Sequence, residues 1–132
     1  MLWVQAFVVL GVSHMVGDFV LQTEWQATHK HGGLGPDPEA RRALFAHVFT
    51  YSLALLPAFV WLTVEVGPAG VLIAALILAT HLIQDDGRLL HAYMRRVKKA
   101  DPLNYPQLTI LVDQSVHFAI LFLASLLASG VQ

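Results

Sequence analysis

The sequence predicts an all-α protein, a single integral membrane domain over residues 1–132 folded as a four-transmembrane-helix bundle. Three observations predict it. Four apolar stretches each approach the roughly 20 helical residues that cross a bilayer's hydrocarbon core. Charged residues make up 13% of the chain and hydrophobic ones 56%, against about 25% charged in an ordinary soluble domain. All eight Lys and Arg fall in two of the three connections or at the end of the third stretch. A soluble helical bundle is the competing fold, and its surface needs far more charge than this.

The first span is expected over 2–21. It lacks a positive leader, and it runs into Asp18-Phe19-Val20-Leu21-Gln22 where a cleavage site would need small residues, so a retained helix is expected. Residues 23–42 are polar, and Gly32-Gly33-Leu34-Gly35-Pro36-Asp37-Pro38 reads as a loop. The second span covers 43–64, with Pro57 a candidate kink. Glu65-Val66-Gly67-Pro68 makes a tight turn, so the second and third spans should be antiparallel neighbours. The third covers 69–90 and becomes polar at Gln84-Asp85-Asp86-Gly87-Arg88. The fourth covers 108–127 and starts after Pro102 or Pro106, since proline suits a first helical turn. Trp3, Trp25 and Trp61 suit the interfacial belts.

The cations are Lys30, Arg41, Arg42, Arg88, Arg95, Arg96, Lys98 and Lys99, and the second connection and both termini have none. The positive-inside rule then puts both termini outside and the two long connections in the cytoplasm. The net charge of −1 gives no footprint for nucleic acid. With no cysteine, disulfides and thiolate metal sites are excluded, which leaves imidazole and carboxylate as ligands.

Inside the spans, a histidine recurs with an aspartate four residues away: His14 with Asp18, His81 with Asp85, and in reverse Asp113 with His117; His47 stands alone. Residues four apart share a helix face. The first and third spans run towards the cytoplasm and carry these groups late, and the second and fourth carry them early. All seven are therefore expected in one layer, in the cytoplasmic half of the bilayer. His14 and His81 are 67 residues apart, as are Asp18 and Asp85, while His47 precedes Asp113 by 66 and His117 by 70. Two pseudo-repeated helical hairpins related by an axis along the membrane normal would give this spacing.

An ionisable group inside a span costs about 2.5–3.5 kcal/mol by insertion scales and usually faces the bundle interior. A metal site is the sharpest reading: a divalent transition metal, with zinc a candidate, held by His14, Asp18, His47, His81, Asp85, Asp113 and His117. These exceed the four ligands of one zinc. They suit two ions, or one ion with carboxylates orienting the histidines. The competing readings are structural His–Asp pairing between helices and a proton relay. His29-Lys30-His31 reads as a solvated loop, and Arg88 either meets an anion or snorkels.

Taken in order, His14-x-x-x-Asp18-Phe19-x-Leu21-Gln22-Thr23, Lys30, His47, His81-x-x-x-Asp85 and Asp113-Gln114-x-x-His117 resemble a family of small bacterial membrane proteins, domain of unknown function 3307. The resemblance covers most of the chain. It implies a multi-pass protein of the bacterial inner membrane and supplies no reaction. Arg88 departs from it, standing where many members are expected to have lysine.

The function expected from the residues is a metal-dependent hydrolase in the cytoplasmic half of the membrane, acting on a lipid or lipid-linked substrate. A homo-oligomer is compatible with it. Asp18, Asp85 and Asp113 are the candidate catalytic carboxylates. Gln22 and Gln114 would orient substrate, and Lys30 and Arg88 would draw an anionic head group. Ser13 cannot share a helix face with His14, so no serine triad is present. The alternatives are a divalent-cation or proton transporter using the same residues, and a membrane scaffold.

Overall fold

A computed structural model describes residues 1–131. Helix α1 is Leu2–Met15 and passes into a π-helical stretch, Val16–Val20; α2 is Glu24–His29, α3 Pro38–Val66, α4 Pro68–Asp85, α5 Arg88–Arg96 and α6 Pro106–Gly130. Four segments are long and apolar enough to cross a membrane: Leu2–Val20, Pro38–Val66, Pro68–Asp85 and Pro106–Gly130. The shortest has 18 residues, about 27 Å of helix against a hydrocarbon core of about 30 Å. Their outward faces are apolar. Val12, Val60, Val64, Leu72 and Leu123 are all more than half exposed, a surface suited to lipid and costly in water.

Local chemistry sets the element ends, and several differ from the sequence reading. Asp37 accepts hydrogen bonds from the Glu39 and Ala40 amides with Pro38 in the first turn, so α3 starts five residues before the expected 43. It continues unbroken past Pro57. α6 begins at Pro106 rather than after Pro102. Residues 24–29 form a helix within what reads only as a polar connection, because Thr23 and Gln26 close a reciprocal capping box. The third span ends at Asp85, not at 90. Gly87 takes a left-handed conformation (φ 75°), which a side chain would strain, and turns the chain out of α4. Residues 88–96 then form the separate helix α5.

The spanning helices pack in the cyclic order α1, α3, α4, α6, each against two neighbours. A two-fold axis exchanging the hairpin α1–α3 with α4–α6 requires this order, and each half carries a short helix after its first span. Phe7 meets Phe118 and Phe122 edge-on and Trp3 meets Phe122, joining α1 to α6. One end of the interior is apolar: Ala6, Leu10, Leu55, Ala58, Leu62, Ile73, Ile77, Leu121, Ala124 and Ala128 are buried in one cluster. The other end buries His14, Asp18, His47, His81, Asp85 and His117. The expected layer is therefore present, except that Asp113 lies at its edge.

The π-helical stretch closes with a bond from the Leu21 amide to the Val16 carbonyl (2.9 Å) and carries Asp18. Such insertions re-aim side chains and favour functional positions. Here α1 also meets α3 closely: a Cβ on Gly17 would lie 2.6 Å from Tyr51 Cδ2 and 3.3 Å from Tyr51 Cα. Gly17→Ala is expected to lower the thermal unfolding midpoint in detergent, with an overpacking cost of about 1–3 kcal/mol. Gly130→Ala, where a Cβ meets nothing within 4 Å, should leave the midpoint unchanged. Equal midpoints for the two variants would refute the close-approach role.

Candidate metal centre

Five side chains from four helices converge in the polar layer. One ligand atom from each of Asp18, His81, Asp85 and His117 lies within 4.8 Å of the other three, and all four residues are buried. His47 Nε2 joins them, 2.7 Å from Asp85 Oδ2, 3.2 Å from Asp18 Oδ1 and 3.2 Å from His81 Nε2. His81 Nε2 lies 3.3 Å from Asp85 Oδ2 and 3.6 Å from Asp18 Oδ1. His117 Nε2 lies 3.3 Å from Asp85 Oδ1. Zinc bonds of about 2.0–2.1 Å set tetrahedral ligand atoms about 3.3–3.4 Å apart. Most of the separations found here fall near that edge length.

The hydrogen bonding shows why these contacts are not self-sufficient. Asp18 Oδ1, Asp85 Oδ1 and His117 Nε2 are buried with no hydrogen-bond partner. His117 Nδ1 lies 2.9 Å from the Asp113 backbone carbonyl. A carbonyl only accepts, so that nitrogen carries a proton, and in the neutral ring Nε2 turns a bare lone pair towards Asp85 Oδ1. Two acceptors facing each other gain nothing, and a buried polar atom left unpaired costs about 1–3 kcal/mol. A cation between them would satisfy all three atoms. The donor set of carboxylate oxygen and imidazole nitrogen suits zinc or a similar transition ion.

Other predicted residues orient this cluster instead of joining it. Tyr51 OH lies 3.1 Å from His14 Nδ1, and His14 Nε2 donates to Gln114 Oε1 (2.9 Å). Gln114 Nε2 then donates to Asp18 Oδ2 (3.1 Å). Both nitrogens of His14 are committed, so it holds Gln114, which holds Asp18. Such partners fix a ligand's rotamer and basicity. Tyr51 also stacks on His81 with ring centroids 3.5 Å apart, so it holds two histidines that no sequence signal tied to it. Asp113 stands outside the cluster, its Oδ1 3.7 Å from His117 Nδ1 and its side chain partly exposed.

The cations depart most from expectation. Lys30, expected in solvent, is buried, and its ammonium donates to Asp85 Oδ2 (2.7 Å) and Gln22 Oε1 (2.6 Å). Gln22 donates in turn to the Asp18 carbonyl (2.8 Å), so it positions Lys30 and the π-helical stretch where a substrate contact was expected. Arg88 pairs with Asp86 and is otherwise exposed. The break after Asp85 carries it away from the cluster.

Asp86, read in the sequence only as part of a polar span end, anchors the segment that delivers Lys30. Its backbone carbonyl accepts from the Gly32 amide and its Oδ1 from the Leu34 amide, both at 2.7 Å. Burial pushes its carboxyl up, but the Arg88 guanidinium and the Leu34 amide outweigh this and hold it below the usual carboxylate range. That interaction is complete above the unfolded value of about 3.9 and is lost as pH falls through the lower folded value. Asp86→Ala should free the 30–35 loop at neutral pH. Acetylation of Lys30, slow in the parent, should then become faster when followed by mass spectrometry; unchanged acetylation would show that the Asp86 carboxylate does not hold the loop.

No curated protein and no solved structure matches this chain. Residues 6–132 match the model of one family, described as "Protein of unknown function (DUF3307)". That match takes in every residue of the polar cluster and nearly the whole sequence, so the chain belongs to the DUF3307 family.

Proposed function

We propose that this chain is a membrane-embedded metal-binding protein that holds one divalent transition metal, zinc foremost, and uses it for hydrolysis. Asp18, His47, His81, Asp85 and His117 would hold the ion. The observation that carries this reading is the convergence of Asp18, His81, Asp85 and His117 within 4.8 Å, with Asp18 Oδ1, Asp85 Oδ1 and His117 Nε2 buried and unpartnered. Two carboxylates against one ammonium, from Lys30, leave one negative charge uncompensated when the imidazoles are neutral, which also favours a cation.

A bound ion of this kind lowers the pKa of water towards about 7 and polarises an ester, amide or phosphoester. The protein's own part is to fix the donors, through His14, Gln114 and the Asp113 carbonyl, and to keep the site enclosed. Asp113 is the carboxylate placed to take a proton from an arriving reactant, since it is partly exposed and adjoins the His117 ring. The cation distribution supports a bacterial inner-membrane location with both termini outside and the centre in the cytoplasmic half.

The Lys30–Asp85 contact favours a second reading, a metal-free pairing site that binds a proton and ties the helices together. A transporter for divalent cations or protons fits less well. Leu10, Leu55, Leu62, Ile77 and Leu121 fill the bundle beyond Tyr51 with apolar side chains, and an ion crossing there would have no polar partner.

Protein purified in detergent and passed through a desalting column should retain about one transition-metal ion per chain by elemental analysis, as a buried set of carboxylate and imidazole ligands implies. His81→Ala and Asp85→Asn should each reduce that stoichiometry at least tenfold, and Asp113→Asn should not. Metal-free protein whose unfolding midpoint is unmoved by added zinc would refute the metal reading and leave the pairing site.

A further inference from the structure

The face of the bundle between α4 and α6, roofed by α5, carries a groove of about 660 Å³. Its size falls within the about 300–1,000 Å³ common for small-ligand sites. Leu89 and Tyr93 of α5 line one end, and the wall on α6 runs from Leu111 to Ile120 and includes Val116 and Ala119. At about 1.5 Å per residue, the α6 wall is about 14 Å long. It lies along a spanning helix, as an extended acyl chain does in a bilayer.

The groove is mostly apolar, with Gln84, Lys98, Asp113 and Ser115 among its lining. Lys98 lines its α5 end. Arg95, Arg96, Lys98 and Lys99 are exposed, and none forms an ion pair among the described residues. Asp113 also lines the groove and reaches the His117 ring at 3.7 Å, so the groove adjoins the metal centre from the membrane side. On the side of the Gly32–Leu34 loop, Lys30 and its Asp86 anchor close the centre. The side of the centre that adjoins a groove is therefore the lateral one, towards lipid.

We infer that this groove binds an anionic phospholipid of the cytoplasmic leaflet, one acyl chain along α6 and the phosphate against Lys98. The inference rests on the proposed hydrolytic centre for its purpose, since it names the substrate class delivered there, but the groove binds lipid whether or not metal is present. Unpaired cations above an apolar channel match a phosphate above a hydrocarbon chain. A second copy of the chain would have to bring both an apolar ridge and an anionic patch to the same place.

The full chain, reconstituted in phosphatidylcholine vesicles, would be irradiated with a trace of phosphatidylglycerol carrying a diazirine on one acyl chain, and the adducts mapped by mass spectrometry. Adducts should concentrate on residues 89–93 and 111–120. Ala119→Trp, which fills the groove from a lipid-facing position, should abolish that concentration. Lys98→Glu should lower it about fivefold or more, the loss of one surface cation near anionic lipid. Even labelling over Val60, Leu72 and Leu123, equal labelling by a phosphatidylcholine probe, indifference to Ala119→Trp, or adducts between chains would each overturn the inference. Metal content measured on the same samples separates the two readings: labelling lost with metal retained defeats the groove alone, and metal lost with labelling retained defeats the centre alone.

Discussion

Two carboxylates, Asp18 and Asp85, are buried deep in an apolar bundle with too few hydrogen-bond donors to satisfy them, and the rest of the polar end is built around that constraint. A carboxylate in such surroundings is tolerated only when its lone pairs meet protons or cations. Each Asp has one oxygen served by the protein: Gln114 donates to Asp18 Oδ2, and Lys30 to Asp85 Oδ2. The other oxygen of each is left facing imidazole nitrogens without a bond. A purely structural pairing site would be expected to use both oxygens. The unpaired Asp85 Oδ1 lies 3.3 Å from His117 Nε2, and the unpaired Asp18 Oδ1 lies 3.6 Å from His81 Nε2.

The architecture explains how one short chain assembles such a point. The cyclic order α1, α3, α4, α6 sets α1 and α4, the two segments in which histidine precedes aspartate by four, diagonally across the bundle, so equivalent aspartates approach from opposite sides. The symmetry is then broken by chemistry. His81 turns Nε2 into the cluster, whereas its counterpart His14 is drawn off by Tyr51 and Gln114. Lys30 has no counterpart, since Val97 stands 67 residues after it. One half supplies a cationic plug over the site, and the other supplies α5 and the groove beside Asp113. An approximate duplication thus yields a buried cluster with a lysine on one side and a groove beside it on the other.

Much of this was legible beforehand because membrane insertion leaves strong signals. Backbone hydrogen bonding forces spanning segments to be helical, so length and hydropathy alone were enough to locate four of them. The cost of an ionisable group in lipid was enough to mark His14, Asp18, His47, His81, Asp85, Asp113 and His117 as inward-facing, correct for all but the partly exposed Asp113, and a spacing of four put each pair on one face. The short helices α2 and α5 were missed because six and nine residues are too few for a periodic signal. The early end of the third span was missed because Gly87 alone redirects the chain, and hydropathy does not register a dihedral angle.

The sequence by itself determined the number of spans, their helical class and the gathering of the polar residues towards one end of the bundle, since these follow from how each segment partitions between water and hydrocarbon. Only the tertiary structure decided which members of that layer touch. Helix rotation, the π-helical turn at Asp18 and the close contact of Gly17 with Tyr51 depend on neighbours distant in the chain. They separate the converging set from His14 and Asp113, which share its composition and depth. They also bring Lys30 in from the loop, a placement set by the hydrogen bonds of Asp86, 56 residues further along the sequence.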